Sequence, residues 1–150
     1  MPRIGVRGFS GAALDRALTR RRINAEELAD AIGMSHQAVS TWRRGAASPT
    51  PEALKKMATI LEILPADLTP LPPSKLRLAD VRFHAGLNGR QAAERLAISP
   101  TLLSEIERGR RPFRPTIARA FAALYNTNLA DITTAWERTI TDRATRIDHL

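Results

Sequence analysis

The residue types that most often carry out catalysis occur here without the spacing that catalysis requires. His36, His84 and His149 show no metal-ligand spacing, and the chain contains no cysteine. The sequence has neither a glycine-rich phosphate loop nor a nucleophile motif. It therefore predicts a protein that is not an enzyme and that uses no metal and no cofactor.

The composition favours a different chemistry, the binding of polyanions. The chain has 23 Lys and Arg against 15 Asp and Glu, a formal net charge of +8, and such a charge attracts nucleic acid without specifying a sequence. No apolar run approaches the roughly 20 residues of a membrane span. Met1 to Arg7 lacks the apolar region of a signal peptide. We therefore expect a cytoplasmic, nucleoid-associated protein with no membrane partner.

The second half of the chain repeats the first at a constant shift of 64 residues, so that position 24, for example, corresponds to position 88. Identical residues that meet at this shift are Asn24 and Asn88, Ala29 and Ala93, Ser35 and Ser99, Ser40 and Ser104, Arg44 and Arg108, and Gly45 and Gly109. Between the copies lie Pro70, Pro72 and Pro73, which lack backbone donors and favour an extended chain. The sequence predicts domains at 1–69 and 76–150, joined by a Pro-rich linker at 70–75.

Each copy has the pattern of several short amphipathic helices, with no alternation of strand length. In the first copy, Asn24 and Ser35 are good N-caps of successive helices, and Gly33 suits the tight turn between them. Two helices joined in this way form a helix-turn-helix, and the second copy repeats the arrangement around Ala97. The predicted fold class is all-α.

The helix-turn-helix of the Cro and phage-repressor family, also called Xre-like, resembles two segments of this chain: NAEELADAIGMSHQAVSTWRRG at 24–45 and NGRQAAERLAISPTLLSEIERG at 88–109. The likeness extends over roughly residues 9–68 and 76–132. It implies two tandem lambda-repressor-like five-helix domains, followed here by an extra C-terminal helix. It also implies binding of double-stranded DNA, usually with a repressive role and often as a dimer.

In the first copy, the exposed start of the second helix of the motif carries the candidate base-reading residues. Gln37 suits a bidentate contact with adenine in the major groove, and the resemblance places it where family members read a base. The resemblance also implies base contacts nearby and phosphate contacts around them; these further candidates are Asn24, Ser35, His36, Ser40, Thr41, Arg43 and Arg44. Arg43 departs from the family, which commonly has Glu there, as Glu107 in the second copy. Whether Arg43 replaces a structural ion pair stays open at this point.

The second copy offers poorer base-reading chemistry than the first. Thr101 and Glu105 occupy the positions of Gln37 and Thr41, and Glu105 suits a cytosine amine but repels a phosphate. Leu102 is expected on the surface, against a thymine methyl or a protein partner. The other candidates for DNA contact are Asn88, Arg90, Arg108, Arg110 and Arg111. Two interpretations remain: the second copy holds the DNA backbone while the first reads bases, or it has lost DNA binding and serves in assembly.

A further apolar pattern follows the second copy. Trp136, Ile140, Ala144 and Ile147 recur at helical spacing over residues 133–150. One interpretation is a last helix that folds onto the second domain; the other is a dimerisation helix.

The function that these patterns favour is a sequence-specific regulator of transcription, most simply a repressor, that binds double-stranded DNA. The alternative is a protein-interaction module of the same fold, antitoxin-like or a partner of an antirepressor. A homodimer and a protein regulator both remain open as partners. A single chain would read an asymmetric site with both copies, whereas a dimer would read a palindrome with its two first copies.

Overall fold

The computed structural model describes residues 5–150, and over this range the chain forms nine α-helices and no strand. The predicted all-α class is confirmed. The chain divides into two compact units, the first ending at Leu71 and the second spanning Pro72–Leu150. We call these units domain 1 and domain 2.

Domain 1 contains four α-helices and a final 3₁₀ turn: α1 (Gly11–Arg21), α2 (Ala25–Ile32), α3 (His36–Arg43), α4 (Pro51–Leu61) and the turn Pro65–Leu68. Each α-helix begins after a polar residue whose side chain accepts a backbone N–H bond, namely Ser10, Asn24, Ser35 and Thr50. Leu14, Leu28, Val39, Leu54 and Met57 are fully buried between the helices. The predicted caps and apolar faces therefore build a single core.

Domain 2 begins with a 3₁₀ turn and contains five α-helices: the turn Pro73–Lys75, α5 (Leu78–His84), α6 (Gly89–Leu96), α7 (Pro100–Glu107), α8 (Pro115–Leu124) and α9 (Leu129–Asp148). A shift of 64 residues carries the bounds of α2 onto α6 and those of α3 onto α7, as the repeat predicts. The linker departs from the expectation of an extended chain, since Pro73 opens a 3₁₀ turn, a position where its fixed φ and missing donor are tolerated.

The C-terminal helix is continuous with the fifth helix of domain 2. The same shift carries the turn Pro65–Leu68 onto residues 129–132, the first turn of α9. The side chain of Asn128 caps α9 by accepting a bond from Asp131 N at 2.8 Å, whereas Leu64 has no oxygen for this role. Prolines after Leu68 also prevent a continued helix in domain 1. The predicted start at residue 133 is thus four residues late.

An aromatic cluster joins the first half of α9 to domain 2. The Trp136 ring lies edge-on to Phe113 and Phe121, with centroids 5.4 and 5.7 Å apart, and its Nε1 donates to Arg111 O at 3.1 Å. Trp136 is fully buried, but Ile147 remains half exposed. Of the two interpretations of this helix, packing onto domain 2 is what the structure shows for Trp136.

Candidate nucleic-acid interface

In domain 1, α3 presents its polar face to solvent because its apolar face is buried. Val39 and Trp42 pack towards α1 and α2. Gln37, Thr41 and Arg44 are spaced by four and three residues, so they share the opposite face. Ser35 starts the helix by accepting a bond from Ala38 N at 3.1 Å, and the left-handed Gly33, with φ of 72°, makes the preceding turn. This is the helix-turn-helix geometry that the sequence predicts.

The polar residues on this face differ in whether their side chains already make hydrogen bonds within the protein. The Thr41 hydroxyl donates to Gln37 O at 2.7 Å, and His36 Nε2 lies 3.2 Å from Asp30 Oδ1. Ser40 is half-buried beside them. The Gln37 side chain is exposed and makes no hydrogen bond to any residue within 5–150. Gln37 therefore keeps both its donor and its acceptor for a ligand.

The predicted phosphate-contacting residues of domain 1 fall into two kinds. Asn24 is exposed at the start of α2, where its Oδ1 accepts from Glu27 N at 2.7 Å, so only its amide donors stay free. Arg43 donates from Nε to Asp15 Oδ1 at 2.5 Å and so joins α3 to α1. Arg44 is exposed and has no acidic partner in the described part of the chain. The structure thus answers the question about Arg43, which forms an ion pair between helices.

Domain 2 has the same helix-turn-helix backbone as domain 1, with different side chains on its exposed face. Ser99 caps α7 by accepting from Leu102 N at 3.0 Å, and Leu103 and Ile106 are buried. Thr101 is exposed on the opposite face. Ala97 makes the turn at φ of 56°, a left-handed conformation that costs an alanine more than a glycine.

In each domain we call the second helix of the motif, α3 or α7, the recognition helix. The recognition helix of domain 2 differs from that of domain 1 in the charge at its centre. Glu105 accepts a bond from Arg111 Nε at 2.6 Å, so each partner offsets the charge of the other. Asn88 caps α6 in a reciprocal arrangement with Gln91, at 2.8 and 2.9 Å. The remaining predicted contacts, all exposed, are Arg90, Arg108 and Arg110. Arg90 and Arg108 line the same cleft beside α7.

The expectation of an exposed Leu102 is wrong. Its side chain is half-buried and packs against the core of domain 2, on the same side as Ile106 and Trp136. Ile117 on α8 and Trp136 on α9 lie on the same side of α7 as this side chain. Leu102 is therefore a packing residue, and it offers little surface to a thymine methyl group or to a protein.

One nearly buried ion pair of domain 2 was not predicted from the sequence. Arg82 on α5 donates to Glu107 on α7 from Nε and Nη2 at 2.7 and 3.0 Å, and its Nη1 donates to Leu87 O at 3.0 Å. Both side chains are about nine-tenths buried, at 11% and 12% exposure. The departure at Arg43 was the one signal in the sequence that pointed to a charged contact at this position.

The structure also brings together a group that the spacing of the histidines did not predict. Glu26, Asp30 and His36 each have a potential metal-ligating atom within 4.8 Å of the others. All three side chains are exposed, and the contact between His36 and Asp30 is already explained as a hydrogen bond. Exposed groups of this kind are common on protein surfaces without a metal, so no metal role follows.

Two family models match the chain. One, described as a helix-turn-helix, covers residues 14–68, and another, described as a helix-turn-helix domain, covers residues 76–135. Comparisons with curated proteins and with solved structures find no match. Within residues 5–150, no helix is both long enough and apolar enough to cross a membrane.

Together with the fold, these matches define a helix-turn-helix protein, a class of DNA-binding regulators. More particularly, the model that matches residues 14–68 is of the Cro and phage-repressor, or Xre-like, type, and the chain carries two helix-turn-helix domains in tandem.

Proposed function

We propose that this protein is a sequence-specific regulator of transcription, most simply a repressor, that reads the major groove of double-stranded DNA with α3. It acts on DNA in the cytoplasm, at the nucleoid. Domain 2 contributes chiefly contacts to the DNA backbone. Phosphate contacts position a protein on DNA, and contacts to base edges specify the sequence.

The observation that carries this proposal is the exposed face of α3. Gln37 has a free amide at the start of the helix, in the region that enters the major groove in proteins of this class. Arg44 is exposed on the same face with no ion pair to the residues described. An amide that can pair with a base edge and an unpaired cation that can contact a phosphate thus share one face, and specific DNA recognition uses both kinds of contact.

The chemistry of domain 2 supports a backbone role for it. Glu105 on α7 pairs with Arg111, which lies in the segment after this helix, and a carboxylate at this position leaves little favourable contact with phosphate or with most bases. Arg90, Arg108 and Arg110 nevertheless keep the surrounding surface basic. Such a surface attracts DNA without reading its sequence.

The first experiment is selection of bound DNA from a random duplex pool with the whole chain, at physiological salt, where non-specific binding is weak. A two-part asymmetric consensus would mean that domain 2 of the same chain reads bases as well as holding the backbone. A palindromic consensus supports a dimer that reads two half-sites with its first domains. The absence of any enriched sequence would contradict the proposal and favour the protein-interaction module, antitoxin-like or bound to an antirepressor.

Two variants test the roles within domain 1 directly. Gln37→Ala should cost about 1–3 kcal/mol on the selected site and relax discrimination at one base pair. Arg44→Ala should weaken binding to all sequences alike and lower the salt slope by roughly one. Thr101→Ala, at the position of Gln37 in domain 2, is the matched control, and discrimination should survive it. Equal loss on every DNA from Gln37→Ala would show that α3 does not read bases.

A further inference from the structure

A basic groove in domain 2 lies between the C-terminal end of α7 and the distal half of α9. Arg108, which follows α7, and Arg143 and Arg146 on α9 all line it. Within the described residues, domain 1 has only the single turn Pro65–Leu68 in place of α9. The wall of the groove that α9 supplies is therefore specific to domain 2.

The two walls of the groove are held together by close contact at Gly109. A Cβ atom on Gly109 would lie 2.6 Å from Thr139 O and 3.1 Å from Arg143 Cβ, so α9 packs directly on the chain that leaves α7. Leu78 N also donates to the buried Thr139 Oγ1 at 3.0 Å, which fixes α9 against α5. These contacts place Arg143 directly beside the residues that follow α7.

The acidic residues of the groove are already paired with other arginines. Asp142 accepts from Arg77 Nε at 2.8 Å, and Glu107 accepts from Arg82. Arg108, Arg143 and Arg146 make no ion pair with any residue of the described range 5–150. Three cations thus line one groove without a counter-charge of their own.

The site suits a phosphate of the DNA backbone. Arginine presents a planar set of donors that fits phosphate oxygens, often in pairs. Arg108 also occupies the position of Arg44, the proposed phosphate contact of domain 1, at the end of a recognition helix. A phosphate bound beside Arg108 would lie next to the arginines of α9.

We propose that this groove binds a backbone phosphate of duplex DNA through Arg108, Arg143 and Arg146, so that α9 is part of the DNA interface of domain 2. This inference rests on the proposed function, because it assumes that the chain binds DNA. It assigns to α9 a binding role in addition to its packing against the core.

The test is a titration of labelled duplex with the whole chain at several salt concentrations. The Arg143→Gln/Arg146→Gln variant removes both charges and keeps two of the three methylene groups of each side chain. Each lost phosphate contact should reduce the salt slope by about 0.9 and, at about 0.1 M salt, reduce affinity roughly tenfold on selected and random duplexes alike. Arg119→Gln, an exposed arginine of α8, is the control and should leave the slope unchanged.

A salt slope equal to that of Arg119→Gln would overturn the inference, as would a change in oligomeric state with unchanged binding per chain. The NMR signal of the Trp136 indole N–H reports whether domain 2 is folded in each variant. If the double variant does not fold, the single variant Arg146→Gln, at an exposed position, is used in its place. Sequence selection by the wild-type chain separates the two proposals. Its failure counts against the proposed function, whereas a changed slope with no selection still supports the groove.

Discussion

Domain 1 and domain 2 share one backbone plan but attach the recognition helix to the first helix in different ways. In domain 2, Arg82 on α5 forms a two-pronged ion pair with Glu107 on α7, and both side chains are nearly buried. In domain 1, the positions of Arg82 and Glu107 hold Leu18 and Arg43. Leu18 is buried in the core, and Arg43 pairs with Asp15 at the surface.

The comparison shows that the same helix contact tolerates either a buried charge pair or an apolar contact. A buried pair costs desolvation and depends on both partners, whereas an exposed pair contributes little. The side chains of Arg43 and Asp15 are 43% and 46% exposed. Domain 1 therefore relies on packing at this contact, and domain 2 relies on a complete ion pair.

The largest expected effect tests this difference. Glu107→Gln leaves Arg82 buried without a counter-charge, and removal of one partner from a buried pair costs about 3–5 kcal/mol. Asp15→Asn, the matched change in domain 1, should cost about 0–1 kcal/mol, as exposed pairs do. Each domain contains one buried tryptophan, Trp42 or Trp136, so the two indole N–H signals in urea titrations follow the domains separately. Equal losses in the two domains would contradict the comparison.

A second difference concerns the glycine after each recognition helix. Gly45 and Gly109 have φ of 74° and 76°, where an alanine costs about 1–2 kcal/mol. A Cβ on Gly45 meets no described atom within 4 Å, but one on Gly109 meets Thr139 O of α9. Gly109→Ala should therefore lose about 1–3 kcal/mol more than Gly45→Ala through overpacking. The same urea titrations measure the free energy of unfolding of both variants. If Gly109→Ala is no less stable than Gly45→Ala, α9 shifts to make room for the Cβ atom without a loss of stability.

The sequence predicted the features that depend on local residue types. The caps at Asn24 and Ser35 and the turn at Gly33 follow from hydrogen bonding and φ at single positions, so they were found without the fold. The pair of Arg82 with Glu107 joins residues 25 positions apart, and no local pattern marks it. Leu102 was placed on the surface because its partial burial depends on core residues of other helices, which come together only in three dimensions.

A third prediction concerns the charge on the face of α7. Glu105→Gln removes the carboxylate that pairs with Arg111 Nε at 2.6 Å and frees this arginine for a phosphate. We expect the salt slope of DNA binding to rise by about 0.9, the value of one phosphate contact. Glu94→Gln, an exposed carboxylate on α6, is the control for the change of net charge. An unchanged slope for Glu105→Gln would indicate that α7 lies away from the DNA, as an assembly domain requires.

The smallest effect is a pH dependence that only domain 2 should show. Burial lowers the pKa of His84 below its ordinary value of 6.5, and the charge of Asp80 offsets part of this shift. The unfolded chain then takes up a proton at a higher pH than the folded domain, so proton uptake favours unfolding. The stability of domain 2 should be full above pH 6.5 and fall as the pH drops towards the folded pKa.

The position of His84 holds Arg20 in domain 1, an arginine that stays charged throughout this range. The urea concentration at the midpoint of unfolding, followed by the Trp136 signal, should therefore decrease as the pH falls from about 7 to about 5.5. Domain 1 has no group at this position that titrates in this range, so it lacks this cause of acid sensitivity. His84→Gln should flatten this part of the profile because it removes the titrating group. If the variant keeps the wild-type profile, the acid sensitivity of domain 2 arises elsewhere, and the two domains do not differ in this respect.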